Sequence, residues 1–323
     1  MPGCLSIPNS CTSLHGASPV LSSLLESARL YMRQGLASST ITSYDFAWKT
    51  FAFFCMSVSL PLLPVHISTV CAFICFCKDV KNWSLPYIRS LLAGVQFNVR
   101  CYDPSFPSLF SHHSIKLILK GIAKASTPVS DNRRPITLSI LHSLISALRS
   151  GMFTPYIDSL LESTFLLAFY GFLRSGEFTT PSFSFNPEKD LSLGDLVFHP
   201  DYYLLSLKHS KSKGACSVII ARTKTPFCPY IAMLKYLSLR SSSFQAGPLF
   251  LTPDYKPLSK AWFINHLKLV LLKCRIPPSQ YSGHSFRIGA ATSAASQGIS
   301  TASLQQLGRW SSSAYASYIR PDA

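Results

Sequence analysis

Acidic residues are scarce in this chain of 323 residues. Asp and Glu number 14 against 30 Lys and Arg, and charged residues of both signs make up only 14%, below the roughly 25% of an average soluble domain. No cluster of carboxylates suited to a divalent metal is visible, which argues against metal-dependent hydrolysis. Cysteine is present but unpatterned. Its ten positions (4, 11, 55, 71, 75, 77, 101, 216, 228 and 274) include no CxxC pair and no Cys/His set at zinc spacing, so neither a disulfide framework nor a zinc module is expected. Cys71, Cys75 and Cys77 fall within an apolar stretch, where thiols behave as small hydrophobes. Long apolar runs are also missing. The longest, Val70–Cys77 and Phe165–Tyr170, are far shorter than a membrane span. The Ser-rich opening lacks the basic segment and apolar stretch of a cleavable signal. Together these absences predict an intracellular, reducing compartment and no membrane partner.

What the chain does have is apolar residues, 47% of the total, enough at this length for two buried cores. It also has a net charge of +16. That charge is shared: residues 1–130 carry 10 Lys/Arg and 4 Asp/Glu, net +6, and residues 131–323 carry 20 and 10, net +10. A field of this sign attracts polyanions, of which nucleic acid is the commonest. Two basic bodies suit gripping a duplex from two sides.

Residues 1–17 show no periodicity and read as a disordered lead-in. Helical spacing begins at Leu21, Leu24, Leu25 and Ala28. It resumes at Ile41, Tyr44, Trp48 and Phe51 after Ser38-Ser39-Thr40, and further helices fit Ile67–Lys78, Pro86–Val99 and Ser114–Lys124. No strand-like alternation interrupts this stretch, so residues 18–125 are expected to form an all-helical domain. Lys116, Lys120 and Lys124, four apart on its last helix, form one ridge suited to a line of phosphates. The polar stretch 126–135, with two prolines and the pair Arg133-Arg134, reads as a linker. Beyond it, helices fit Ser139–Leu148 and Tyr156–Phe172. Two strands, Tyr202–Leu207 and Cys216–Ile220, flank a basic turn Lys208–Gly214. Helices then fit Pro229–Leu239, Ser259–Leu272, His284–Gln297, Thr301–Leu307 and Ser312–Ile319. The expected fold is mostly α with a small β-sheet: a helical domain, then a mixed α+β domain at 136–323.

Four segments of the second domain carry groups able to do chemistry. Gly171-Phe172-Leu173-Arg174-Ser175-Gly176-Glu177 ends an apolar helix in an arginine and a carboxylate. Lys208-His209-Ser210-Lys211-Ser212-Lys213-Gly214 is the basic turn, and Gly283-His284-Ser285-Phe286-Arg287 opens a helix of small residues. Leu307-Gly308-Arg309-Trp310 is followed by Tyr315-Ala316-Ser317-Tyr318-Ile319-Arg320. Each alone is more simply a surface ion pair, a solvated turn, a capping histidine or an aromatic anchor. Their joint occurrence, in this order and in a basic chain, is what points to a site.

In that order, GFLRSGE, GHSFRIGAA, LGRW and YIR resemble the tyrosine recombinases: phage integrases, Xer-type resolvases, Cre, and the enzymes of DIRS-like and Crypton mobile elements. The motifs cover residues 170–320; the N-terminal half resembles only the helical core-binding (SAM-like) domain of the family. The resemblance implies a tyrosine that attacks a DNA phosphodiester, leaving a 3′-phosphotyrosine and a free 5′-hydroxyl. Arg174 and Arg287 match the two arginines whose rigid N–H forks meet the extra charge of the five-coordinate phosphorus, so neither metal nor cofactor is implied. Lys211 fits the lysine that protonates the departing oxygen, with Lys208 and Lys213 as rivals. His284 matches the histidine at the phosphate. Trp310 stands where many members have histidine, Glu177 is the accessory carboxylate, and Tyr318 is the nucleophile. Its rival Tyr315 lies three residues earlier on the same expected helix. Lys116, Lys120, Lys124, Arg133, Arg134, Lys208 and Lys213 are candidate DNA contacts. The partners implied are double-stranded DNA and further copies of the chain, two to four in the synapse; in a eukaryote the place is the nucleus.

Two departures bear on assembly. Tyr318 follows Trp310 by eight residues, one fewer than in Cre, so the last helix is expected to start differently. The sequence also runs only five residues past Tyr318, without the further helix by which several members dock on a neighbour. A DNA-binding protein that no longer cuts, and a type IB topoisomerase, share parts of the pattern. Retention of all six catalytic positions argues against the first; relaxation of supercoiled DNA by a monomer would favour the second, and dependence on paired target sites would favour recombination.

Overall fold

The computed structural model describes residues 19–126, 133–210, 214–240 and 247–320. The expected lead-in, most of the linker, and Lys211 and Lys213 lie outside the described residues. The chain divides into two units, Met1–Ser130 and Asp131–Ala323.

The described elements of the first unit are all helical: α1 Pro19–Gln34, α2 Ser38–Ser57, α3 Ile67–Cys75, α4 Leu85–Tyr102 and α5 His113–Ala125. The spacing expected for α2 is the one used, since Trp48 and Phe51 are buried and Phe51 meets Phe73 of α3 edge-on at 5.2 Å. The helix expected over Ile67–Lys78 stops being α at Cys75 and ends in a single π turn, Phe76–Val80. The stripe of α1 behaves differently: the helix forms, yet Leu21, Leu24 and Leu25 are exposed and none of its residues is buried. On α5, Ile115 and Leu119 face the core while Lys116, Lys120 and Lys124 are exposed. Apolar residues at one phase of the helix put the lysines on the opposite face.

The second unit wraps helices around α7, Pro155–Tyr170, which is buried from Asp158 through Phe169. Its other elements are α6 Leu138–Arg149, α8 Pro229–Leu239, α9 Lys260–Lys273, α10 Ser285–Ser296 and α11 Thr301–Gly308, with a three-stranded antiparallel sheet. The sheet order is β1 Leu196–Phe198, β2 Tyr202–Ser210, β3 Gly214–Ala221. Along β2, Tyr203, Leu205 and Leu207 point inward while the alternate residues are part-exposed, the period of two that a half-buried strand requires. β1 was not expected from the sequence, because three residues are too few to show alternation. β2 also runs farther than expected, reaching Ser210 after a register shift following Leu207. Lys208 therefore lies in a strand and not in the turn. The segment expected as a terminal helix, Ser312–Ile319, is a short 3₁₀ helix, Ser313–Tyr318. A Ser-rich stretch competes for its own backbone hydrogen bonds, as Ser312 does by accepting from the Ala314 N–H.

Candidate active site

Two helix ends and one turn meet at the site. α7 stops at Gly171, and Phe172 takes a left-handed conformation (φ 50°) that reverses the chain. Arg174 then enters an extended stretch followed by the 3₁₀ turn Ser175–Glu177. Here the Arg174/Glu177 spacing is used locally: Glu177 Oε2 accepts the Arg174 backbone N–H at 2.9 Å, and Oε1 accepts Arg174 Nη1 at 3.0 Å. Glu177 is almost entirely covered and Arg174 keeps a small exposed fraction, so the carboxylate holds the guanidinium by one edge.

His284 sits immediately before α10, and Phe286 and Arg287 lie in its first turn. Phe286 is fully buried against Phe165 of α7, ring centres 5.1 Å apart, which sets the rotation of the helix. Gly289 matters one turn on: a side chain there would collide with the Ile136 backbone, which packs directly on α10. Arg287 is 0% exposed. Desolvating such a cation costs on the order of several kcal/mol unless other groups replace its water. Its two terminal nitrogens donate to the carbonyls of Phe172 and Gly308. The guanidinium carbon also lies 4.4 Å from the Trp310 ring centre and 5.6 Å from that of Tyr318, a stacking arrangement favourable to a cation. Burial, then the neighbouring Arg174, draw the Arg287 pKa below the usual guanidinium range, and it remains a cation at neutral pH.

The C-terminal segment closes over this floor. α11 ends in Arg309, in the left-handed region (φ 56°), which turns Trp310 back over Gly308; any side chain at Gly308 would overlap the indole. Trp310 is buried with its ring 5.1 Å from that of Tyr318. Thr292 of α10 anchors the segment, donating to the Tyr318 carbonyl at 3.2 Å and accepting the Arg320 N–H at 3.1 Å. The Tyr318 hydroxyl lies 3.4 Å from His284 Nε2. The Tyr315 ring also lies near Trp310, ring centres 6.5 Å apart. Burial first, and then Arg133, Arg287, Arg174 and Lys260, lower the His284 pKa. The imidazole is therefore neutral at pH 7, beside a half-buried phenol and within the field of several cations. Such a group can take up a phenolic proton while the guanidiniums receive an anion.

No protein-family model and no curated protein sequence matches the chain. Solved structures do. Over 93% of this chain and 95% of the other, it is similar to the Tn1549 transposon integrase in complex with circular intermediate DNA, with a TM-score of 0.62 at 15% identity. The XerH site-specific recombinase bound to a palindromic difH substrate gives 0.58 at 12% identity, over 85% of this chain and 73% of the other. A lambda integrase dimer bound to a COC′ core site gives 0.58 at 15% identity, over 95% and 82%.

The fold is that of the tyrosine recombinases.

Within this tyrosine recombinase fold, Arg174, Glu177, His284, Arg287, Trp310 and Tyr318 converge, although they span 145 positions of sequence, 174–318. Of the three lysines of the basic segment only Lys208 is among the described residues, and it does not join them. Lys208 turns its ammonium to Asp195 Oδ2 at 2.8 Å and donates to the Pro187 and Asp190 carbonyls at 2.6 and 3.1 Å. Its ammonium is thus held by one carboxylate and two backbone carbonyls. Arg133 and Arg134 are exposed just ahead of Ile136, with Arg133 near enough to act on His284. Two participants escaped the sequence reading. Arg309 lies inside a motif already noted but received no role; its signal was an arginine within an otherwise apolar turn. Thr292 gave no signal, because its partners are backbone atoms.

Proposed function

We propose that the protein is a site-specific DNA recombinase that cuts and rejoins strands through a 3′-phosphotyrosine on Tyr318, and that it serves a mobile element. The Tyr318 oxygen attacks the phosphorus, the P–O5′ bond breaks, and the departing oxygen takes a proton from Lys211. His284 receives the phenolic proton, and Arg174 and Arg287 neutralise the charge on the non-bridging oxygens. Attack by a 5′-hydroxyl on the phosphotyrosine reverses each step and reseals the strand. Trp310 holds Arg287 and Tyr318 in register, and Glu177 orients Arg174. Residues 18–125 act as the core-binding domain, with the α5 lysines and Arg133-Arg134 on phosphates, and residues 136–323 as the catalytic domain. Two to four copies assemble on double-stranded DNA, in the nucleus where the cell has one.

The observation that carries this reading is the Tyr318 hydroxyl 3.4 Å from His284 with its ring beside Arg287, in a tyrosine recombinase fold. Arg287 is fully covered, so phosphate reaches it only after the segment bearing Trp310 and Tyr318 shifts outward on binding DNA. The test is incubation with nicked duplexes of randomised sequence, followed by a search for a covalent protein–DNA adduct. Tyr318→Phe binds DNA and yields none, whereas Tyr315→Phe still yields one. Peptide mapping that finds the nucleotide on Tyr315, or on any other tyrosine, overturns the assignment.

A further inference from the structure

Arg309 makes contacts out of proportion to a helix-capping residue. It is 6% exposed in a backbone conformation that most side chains avoid (φ 56°). Nη1 donates to the Gly171 carbonyl at 3.0 Å, and Nη2 to the Phe172 carbonyl at 3.3 Å and to Glu177 Oε2 at 3.0 Å. The Phe172 carbonyl also accepts from Arg287, and Glu177 Oε1 holds Arg174. One side chain from the last turn therefore grips both the backbone reversal that delivers Arg174 and the carboxylate that orients it. The backbone of that residue sets Trp310 against Arg287.

We propose that Arg309 is a positioning residue that couples Arg174 to the segment carrying Trp310 and Tyr318. It shares the Glu177 charge, so that Arg174 keeps its own positive charge for the phosphate. A carboxylate bridged by two guanidiniums leaves one net positive charge on the trio, and Arg174 is the member with exposed surface. Removing Arg309 leaves Glu177 neutralising Arg174 alone and frees the Gly171–Phe172 turn. This deepens the strand-exchange reading and rests on it.

The experiment compares Arg309→Gly, Arg309→Lys, Glu177→Gln and the double variant Arg309→Gly/Glu177→Gln. Glycine accepts the left-handed backbone without strain, so it removes the side chain while sparing the turn. Single-turnover adduct formation on nicked duplex is measured at saturating protein, beside duplex affinity and thermal unfolding. Arg309→Gly is expected to slow adduct formation about 10- to 100-fold with duplex affinity nearly unchanged. Arg309→Lys should recover part of the rate. The double variant should be no slower than the slower single one, because both act through one contact. Losses that multiply, or a rate for Arg309→Gly equal to wild type, overturn the positioning role. So does a rate loss that tracks lost folding or lost DNA affinity. A wild-type protein that forms no adduct at all overturns the strand-exchange reading, and this role with it.

Discussion

His284 occupies a position where burial and cations act in the same direction. Both oppose its protonation, so its pKa falls below the ordinary imidazole value of 6.5. The sign of the pH effect follows. Above that range the ring is neutral and able to accept the Tyr318 proton; as pH falls through its lowered pKa it becomes an imidazolium and accepts nothing. Adduct formation is therefore expected to hold down to mildly acidic pH and then fall, and His284→Gln should flatten that limb while lowering the plateau by about 100-fold. A pH–rate profile on nicked duplex checks both, and a limb that persists in His284→Gln removes His284 from the role. The same shift bears on stability. The unfolded chain protonates this histidine more readily than the folded one, so stability is lost as pH drops below the ordinary histidine range.

At the scale of elements, the β2–β3 hairpin and the end of α7 do different work. Lys208 is held within β2 by its ion pair with Asp195, whose pKa is lowered by that lysine together with Ser192 against the opposing effect of burial. A lysine committed to such a pair is poorly placed to deliver a proton, which leaves Lys211 and Lys213 of the turn. Lys211→Ala is expected to lose strand cleavage and to regain it on a substrate whose scissile 5′-oxygen is replaced by sulfur, a leaving group that needs no proton. Arg174→Ala should gain nothing from that substrate. Rescue of Lys213→Ala, with Lys211→Ala unaffected, would transfer the role to Lys213. At the end of α7, Gly171 through Leu173 are buried, and the Phe172 carbonyl is committed to Arg287 and Arg309.

Across the whole molecule the charge is one-sided. Each half carries its own excess, +6 and +10, and the α5 lysines stand on an exposed face. Binding to duplex of arbitrary sequence is therefore expected to weaken steeply with salt, roughly a thousandfold between about 50 and 200 mM if some six phosphates are contacted. Replacing Lys116, Lys120 and Lys124 together by Gln should lower the slope of log affinity against log salt by about 3. Binding that is flat over that range would rule out a grip made by both halves.

Sequence alone was sufficient for the helical first unit and the mixed second one, and for naming residues that the fold then brings together, for a physical reason. Helical periodicity and turn chemistry are local, and the two arginines, the histidine, the tryptophan and the tyrosine stand in short motifs whose order survives any folding. It was not sufficient where the deciding partner was distant or was backbone. Leu21, Leu24 and Leu25 show the spacing of a buried stripe yet stay exposed, because periodicity records a face and not what covers it. Lys208 was expected in the basic turn, but β2 runs on through Ser210 and its ammonium reaches Asp195. Arg309 and Thr292 act on carbonyls and a carboxylate more than 20 positions away, which no motif records. Only the tertiary structure decided these, since hydrogen bonds to backbone depend on where two distant segments pass one another and not on which side chains they carry.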